Sequence, residues 1–160
     1  MKTPATVLNY SSELQISQED GPIVLVGGCF DVLHFGHLQF LNAAKKAGKR
    51  LVVALESDEF IKSRKARTPI HTQEQRAEML SSLESVDCVV LLPFLKTDDE
   101  YSEMVTRISP SVIAVTQGDP QLTNKKRQAA RLVGTRVVVV TPVIGDFSTS
   151  KIINQLRPNQ

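Results

Sequence analysis

The feature that most constrains this chain is a recurring pair: a short, mostly apolar run, then a stretch of helical character. The runs are Ile23–Val26, Leu51–Leu55, Val86–Leu92, Val112–Val115 and Arg136–Val140. Strands this apolar are buried on both faces, as in a parallel sheet covered by helices. The intervening stretches supply those helices. Leu38, Leu41, Ala44 and Ala47 recur at helical spacing before Gly48, a natural stop. Ser57 caps a short helix over 58–63, and Thr72-Gln73-Glu74-Gln75 has the form of a capping box. That helix turns Ala77, Leu80 and Met79 inward. Further helices are expected over 98–108, 123–133 and 149–156, the last capped by Ser148. Right-handed βαβ crossovers then give one Rossmann-like, doubly wound α/β domain over 22–160, with a parallel sheet of about five strands. Residues 1–21 read as a leader that packs on the sheet edge or mediates a dimer.

Composition narrows the function. A chain of 160 residues with net charge +2 carries no broad basic surface for nucleic acid, and aromatic residues make up only 5%. No apolar run reaches membrane-spanning length and no signal peptide precedes the domain, so neither a membrane nor nucleic acid is an expected partner. Cys29 and Cys88 lie far apart, consistent with reduced thiols in a cytoplasmic protein.

Ligands of open α/β sheets gather at the carboxyl ends of the strands. After the first strand comes Gly27-Gly28-Cys29-Phe30-Asp31-Val32-Leu33-His34-Phe35-Gly36-His37, opening the first helix. Two histidines three apart at a helix start can present both rings to one ligand, and Gly28 and Gly36 allow phosphate close to the backbone. The bland alternative is an ordinary turn with its imidazoles satisfied by carbonyls. After the second strand, Lys62, Arg64, Lys65 and Arg67 put four cations in six residues. Alone, such a run reads as a solvated loop.

Gly28-Cys29-Phe30-Asp31 followed by His34-Phe35-Gly36-His37 resembles the cytidylyltransferase-like nucleotidyltransferases, with their G-x-F-D and H-x-G-H signatures. The resemblance spans roughly Ile23 to Leu156 and implies roles for several positions. His34, His37 and Lys65 would be catalytic, with Lys62 the second candidate for the phosphate-neutralising lysine and a substrate-binding residue. Gly28, Cys29, Phe30, Asp31 and Gly36 would surround the nucleotide. Gln73-Glu74-Gln75-Arg76 resembles the family's E-x-R or E-Q-R element, with Arg76 gripping phosphate; its alternative is a surface ion pair with Glu74 or Glu78. Gly118 and Asp119 match a glycine-aspartate pair beside sugar and base, and Phe147, Ser148 and Thr149 match a serine-threonine phosphate cradle.

Departures are visible too. Thr68 stands where many members carry arginine, Gln117 where sugar-phosphate enzymes carry glycine, and Val143 where some glycerol-phosphate enzymes carry arginine. The ensemble is most similar to the adenylyltransferase domain that activates heptose phosphates, with glycerol-3-phosphate cytidylyltransferases and archaeal-type FAD synthetases close to it. The implied reaction transfers AMP or CMP from a nucleoside triphosphate to a small phosphorylated acceptor. Mg²⁺ would be held by the substrate rather than by a protein metal site, and a homodimer is expected. A non-catalytic nucleotide sensor on the same fold is the alternative.

Overall fold

The computed structural model describes residues 2–142 and 148–157. Its centre is β2 (Ile23–Gly28), followed by α1 (Phe35–Lys45), β3 (Arg50–Leu55), α2 (Asp58–Lys65) and α3 (Gln73–Ser81). Then come β4 (Cys88–Leu91), α4 (Asp98–Ile108), β5 (Val112–Thr116), α5 (Leu122–Ala130), β6 (Arg136–Thr141) and α6 (Thr149–Leu156). A further strand, β1 (Thr6–Asn9), precedes them all.

The sheet therefore has six strands rather than about five, in the order β1-β4-β3-β2-β5-β6, and every neighbouring pair is parallel. The additional strand comes from the segment before Pro22. Val7 pairs with Val89, and Leu14 and Ile16 sink into the core beside Met104 and Ile108. The irregular apolar spacing of this segment carries no periodic signal because its strand is only four residues long and mostly exposed.

Alternation along β2 explains the layers. Ile23 and Leu25 face a core with Met104, Val105 and Ile108 of α4, whereas Val24 and Val26 face one with Leu41 and Ala44 of α1 and with Ala77 and Leu80 of α3. Leu38, expected on the inner face of α1, is 40% exposed; the helix starts at Phe35 and buries Gly36, Leu41 and Ala44. Met79 is only half-buried, and Arg76 takes the interior place on α3. The capping box of α3 is formed in both directions: Gln75 N–H donates to Thr72 Oγ1 at 3.3 Å and Thr72 N–H to Gln75 Oε1 at 3.1 Å.

All the strands point their carboxyl ends at one edge of the sheet, where the loops after β2, β3, β4 and β5 meet the start of α6. Truncating Leu14 or Ile16 to alanine is expected to cost about 2–3 kcal/mol each in urea unfolding. A loss under about 0.5 kcal/mol would mean that the first segment is a dispensable leader.

Candidate active site

At the edge formed by the strand ends lies a cleft of about 1040 Å³. Its floor is the turn after β2. Phe30 adopts a left-handed backbone (φ 46°), which few non-glycine residues do, and its buried ring lies 5.0 Å from that of His37. Gly28 makes this possible: a Cβ there would come within 2.9 Å of the Phe30 ring.

His34 is the N-cap of α1. Its Nδ1 accepts from the N–H of His37 at 3.3 Å, so the backbone locks one imidazole while the other stacks on it, centroids 3.7 Å apart and planes 21° from parallel. Burial lowers the pKa of His34, and burial, with the neighbouring His34, lowers that of His37 to about 4; the Val32 carbonyl pulls weakly the other way. Both rings are neutral at pH 7, so each offers an N–H rather than a full positive charge.

Cations stand around this pair. Lys65, in the last turn of α2, lines the cleft, joined by Arg64, Arg67, Lys96 and Lys125. The N-terminus of α6 contributes Ser148 and Thr149 to the same cleft. Ser148 caps the helix by accepting from Lys151 N–H at 3.1 Å, and Thr149 Oγ1 approaches the Val32 carbonyl at 3.5 Å. Two helix starts, those of α1 and α6, thus converge on one cleft, an arrangement suited to anions. Gly118, at φ 75°, makes the left-handed turn after β5. Next to it, Asp119 accepts from Gln121 N–H at 2.7 Å and pairs with Lys125 at 2.6 Å.

Three expected ligand contacts are placed otherwise. Arg76 is fully buried below the cleft, not in it. Its guanidinium donates to the carbonyls of His71 (3.1 Å), Cys29 (2.6 Å) and Glu56 (2.9 Å) and to Asp58 Oδ1 (2.7 Å). With those donors used inside the protein, it positions the turn rather than gripping phosphate. Asp31, 1% exposed, accepts from the N–H groups of Ile70 and His71 and pairs with Arg67. Burial alone would raise its pKa, but those donors hold it below the ordinary carboxylate range, so it clamps the loop before α3 instead of facing a ligand. Lys62 is exposed on α2 and does not line the cleft. Cys29 and Gly36 do line it; burial pushes the Cys29 thiol up to about 11, so it is no thiolate. Phe147 lies outside the described residues.

One cleft residue was missed by motif reading. Glu56 follows β3 directly, 8% exposed, and accepts from Tyr101 Oη at 2.8 Å. Burial pushes its pKa up to about 7 against the opposing pull of Tyr101, Arg76, Lys125 and Lys65. A charged residue ending an otherwise apolar strand was the available signal. Among the described residues, no three His, Cys, Asp or Glu side chains converge to hold a metal, and no helix is long and apolar enough to cross a membrane.

The cytidylyltransferase-like family model matches residues 25–155, the span that holds the cleft and both helix starts. The chain belongs to this nucleotidyltransferase family. It is 37% identical over 138 residues to the FAD synthase of Pyrococcus abyssi, covering 83% of this chain and 90% of that one. It is 34% identical over 152 residues to the bifunctional protein HldE of Campylobacter fetus, covering 94% of this chain but only 31% of that longer protein. Among solved structures, a lipopolysaccharide core biosynthesis protein from Thermoplasma volcanium superposes with TM-score 0.58 at 24% identity, covering 76% of this chain and 95% of that one. A pantoate-beta-alanine ligase from Francisella tularensis reaches TM-score 0.59 at 14% identity, covering 86% and 67%. These two share the fold.

Arg76→Met is expected to lower stability by about 3 kcal/mol or more, because it removes the donor that three carbonyls and Asp58 share inside the protein. An unchanged urea midpoint would mean a guanidinium free to face a ligand. The raised pKa of Glu56 gives a second expectation. Its folded form holds a proton that the unfolded chain releases, so its contribution is complete below pH 4.5 and lost as pH rises through about 7. Relative to the wild type, Glu56→Gln should therefore gain on the order of 2–3 kcal/mol between pH 4.5 and 8. A flat difference in urea titrations across that range would refute the burial argument.

Proposed function

We propose that this protein transfers a nucleoside monophosphate, AMP or CMP, from a nucleoside triphosphate to a small phosphorylated acceptor, releasing pyrophosphate. The observation that carries the reading is the pair of stacked, neutral imidazoles at the start of α1, in one cleft with Lys65 and the start of α6. A phosphate oxygen of the acceptor attacks the α-phosphorus, and the bond to the bridging oxygen of the β-phosphate breaks in line. The attacking oxygen is already ionised, so the reaction asks for no general base. What it requires is alignment of two anions and stabilisation of charge growing on the α-phosphate and the leaving group.

His34, whose Nδ1 accepts from the backbone, presents its Nε2–H to that charge, and neutral His37 stacks on it as the second imidazole of the pair. Lys65, with Arg64, Arg67 and Lys125 nearby, offsets the negative charge of the triphosphate. The first N–H groups of α6 and the hydroxyl of Thr149 receive a terminal phosphate. The triphosphate would enter as its Mg²⁺ complex, the ion belonging to the substrate and offsetting phosphate charge. Gly118 and Asp119 face the sugar and base.

The acceptor is a sugar phosphate or polyol phosphate. Likeness to the Pyrococcus FAD synthase along nine-tenths of its length also favours FMN, which uses the same phosphoryl chemistry. The test is pyrophosphate release with ATP, CTP, GTP and UTP crossed against heptose-1-phosphate, glycerol-3-phosphate, FMN, phosphocholine and phosphoethanolamine. His37→Ala is expected to lose about 100-fold or more in turnover, roughly 3 kcal/mol of transition-state stabilisation, while staying folded. Full turnover in that variant would reject the role of the histidine pair. A protein that binds triphosphate yet releases no pyrophosphate with any acceptor would be a nucleotide sensor.

A further inference from the structure

Two acidic groups are buried at the histidine turn among the described residues: Asp31 has its oxygens paired with Arg67 and the N–H groups of Ile70 and His71, whereas Glu56 keeps one oxygen that the transfer chemistry leaves unused. Its backbone N–H donates to the Gly28 carbonyl at 3.0 Å, so the residue sits against the turn between β2 and α1. Tyr101, from α4, holds Oε1 at 2.8 Å, yet Oε2 is buried in the cleft lining with no hydrogen-bond partner. An unpaired buried carboxylate oxygen is costly, and such groups concentrate where a ligand completes them.

The kind of ligand follows from charge and place. A carboxylate repels phosphate, so whatever meets Oε2 is an uncharged part of a ligand that carries a hydrogen-bond donor. Within the sheet, β2 separates Glu56 from the Gly118-Asp119 turn after β5, where the nucleoside is proposed to lie. On the Glu56 side the cleft is walled by Leu92, Leu95 and Met104, which suit a carbon skeleton.

We propose that Glu56, oriented by Tyr101, is the acceptor-recognition residue: Oε2 accepts a hydrogen bond from a neutral O–H or N–H on the non-phosphate body of the acceptor. This assignment rests on the transfer reading above. It selects acceptors with a donor on that body, a sugar or polyol hydroxyl or the ring N–H of a flavin, over simple alkyl phosphates. Around Glu56 stand Cys29 from the turn after β2, Lys65 from α2, Arg76 from α3, Tyr101 from α4 and Lys125 from α5. Arg76 is tied to carbonyls and Asp58, and Tyr101 to Glu56 itself.

The test is steady-state pyrophosphate release with ATP and CTP, using heptose-1-phosphate, glycerol-3-phosphate and FMN as acceptors. Glu56→Gln keeps the shape and a partner for Tyr101; it should raise the acceptor KM about 10- to 100-fold and leave the nucleotide KM within twofold. Tyr101→Phe, which frees Oε1, should shift the acceptor KM in the same direction by a smaller factor. Removing the donor from the acceptor, with monodeoxy sugar phosphates in one arm and 3-methyl-FMN in the other, should cost the wild type about tenfold and Glu56→Gln nothing further. The arm that responds identifies the acceptor. Raising pH through about 7 should also lower the acceptor KM more in the wild type than in Glu56→Gln, because both share the titration of the acceptor phosphate and only one titrates Glu56. An unchanged acceptor KM in Glu56→Gln, or an equal rise in both KM values, would overturn the assignment alone. A wild type that releases no pyrophosphate with any acceptor would overturn the transfer reading and this assignment together.

Discussion

Much of the site hangs on the guanidinium of Arg76. It lies beneath the cleft with no exposure and gathers four segments that approach from different directions. The turn after β2 is held through Cys29, the end of β3 through Glu56, the start of α2 through Asp58, and the loop before α3 through His71. A planar group with donors fixed in a fork can hold several carbonyls at set angles, which an ammonium group cannot. Asp31 repeats the device from the other side, binding Ile70, His71 and Arg67. Gln73 adds a third tie, donating from Nε2 to the carbonyls of Leu55 (2.9 Å) and Leu92 (2.8 Å), so that the ends of β3 and β4 stay together.

On that framework the proposed transfer would use few formal charges beside the histidine pair. Two stacked imidazoles, one of them tilted against the buried Phe30 ring, share the cleft with cations from α2, α5 and the loop after β4. Burial lowers the pKa of both histidines, that of His37 to about 4, so the pair favours the neutral form. A ring that burial holds neutral still gives an N–H, and its dipole, fixed by the stacking and by the His34 cap, needs no reorganisation when charge develops.

Legibility in the sequence followed the range of the interaction. The βα alternation, the caps at Ser57, Thr72 and Ser148, and the paired histidines are written within a few neighbouring residues, and the structure repeats them. Arg76 shows the opposite case. Its motif named the residue, but its partners lie as many as 47 positions away, and only packing decided that it turns into the protein rather than toward a ligand. For β1 the cause differs: a short edge strand is stabilised by pairing with β4 and has no periodicity of its own.

By itself the sequence determined the doubly wound fold class, the place of the two-histidine turn and the family to which the chain belongs, because strand burial, helix caps and the two-histidine signature are local and periodic properties. Tertiary structure alone decided which charged groups serve the framework and which face the cleft. Lys65 came to the cleft and Lys62 did not, though both lie on the same short helix. Glu56 met Tyr101, 45 residues away, and became a buried carboxylate with one free oxygen. The physical reason is that burial and pairing depend on what the crossovers bring together in space, and no stretch of neighbouring residues encodes that.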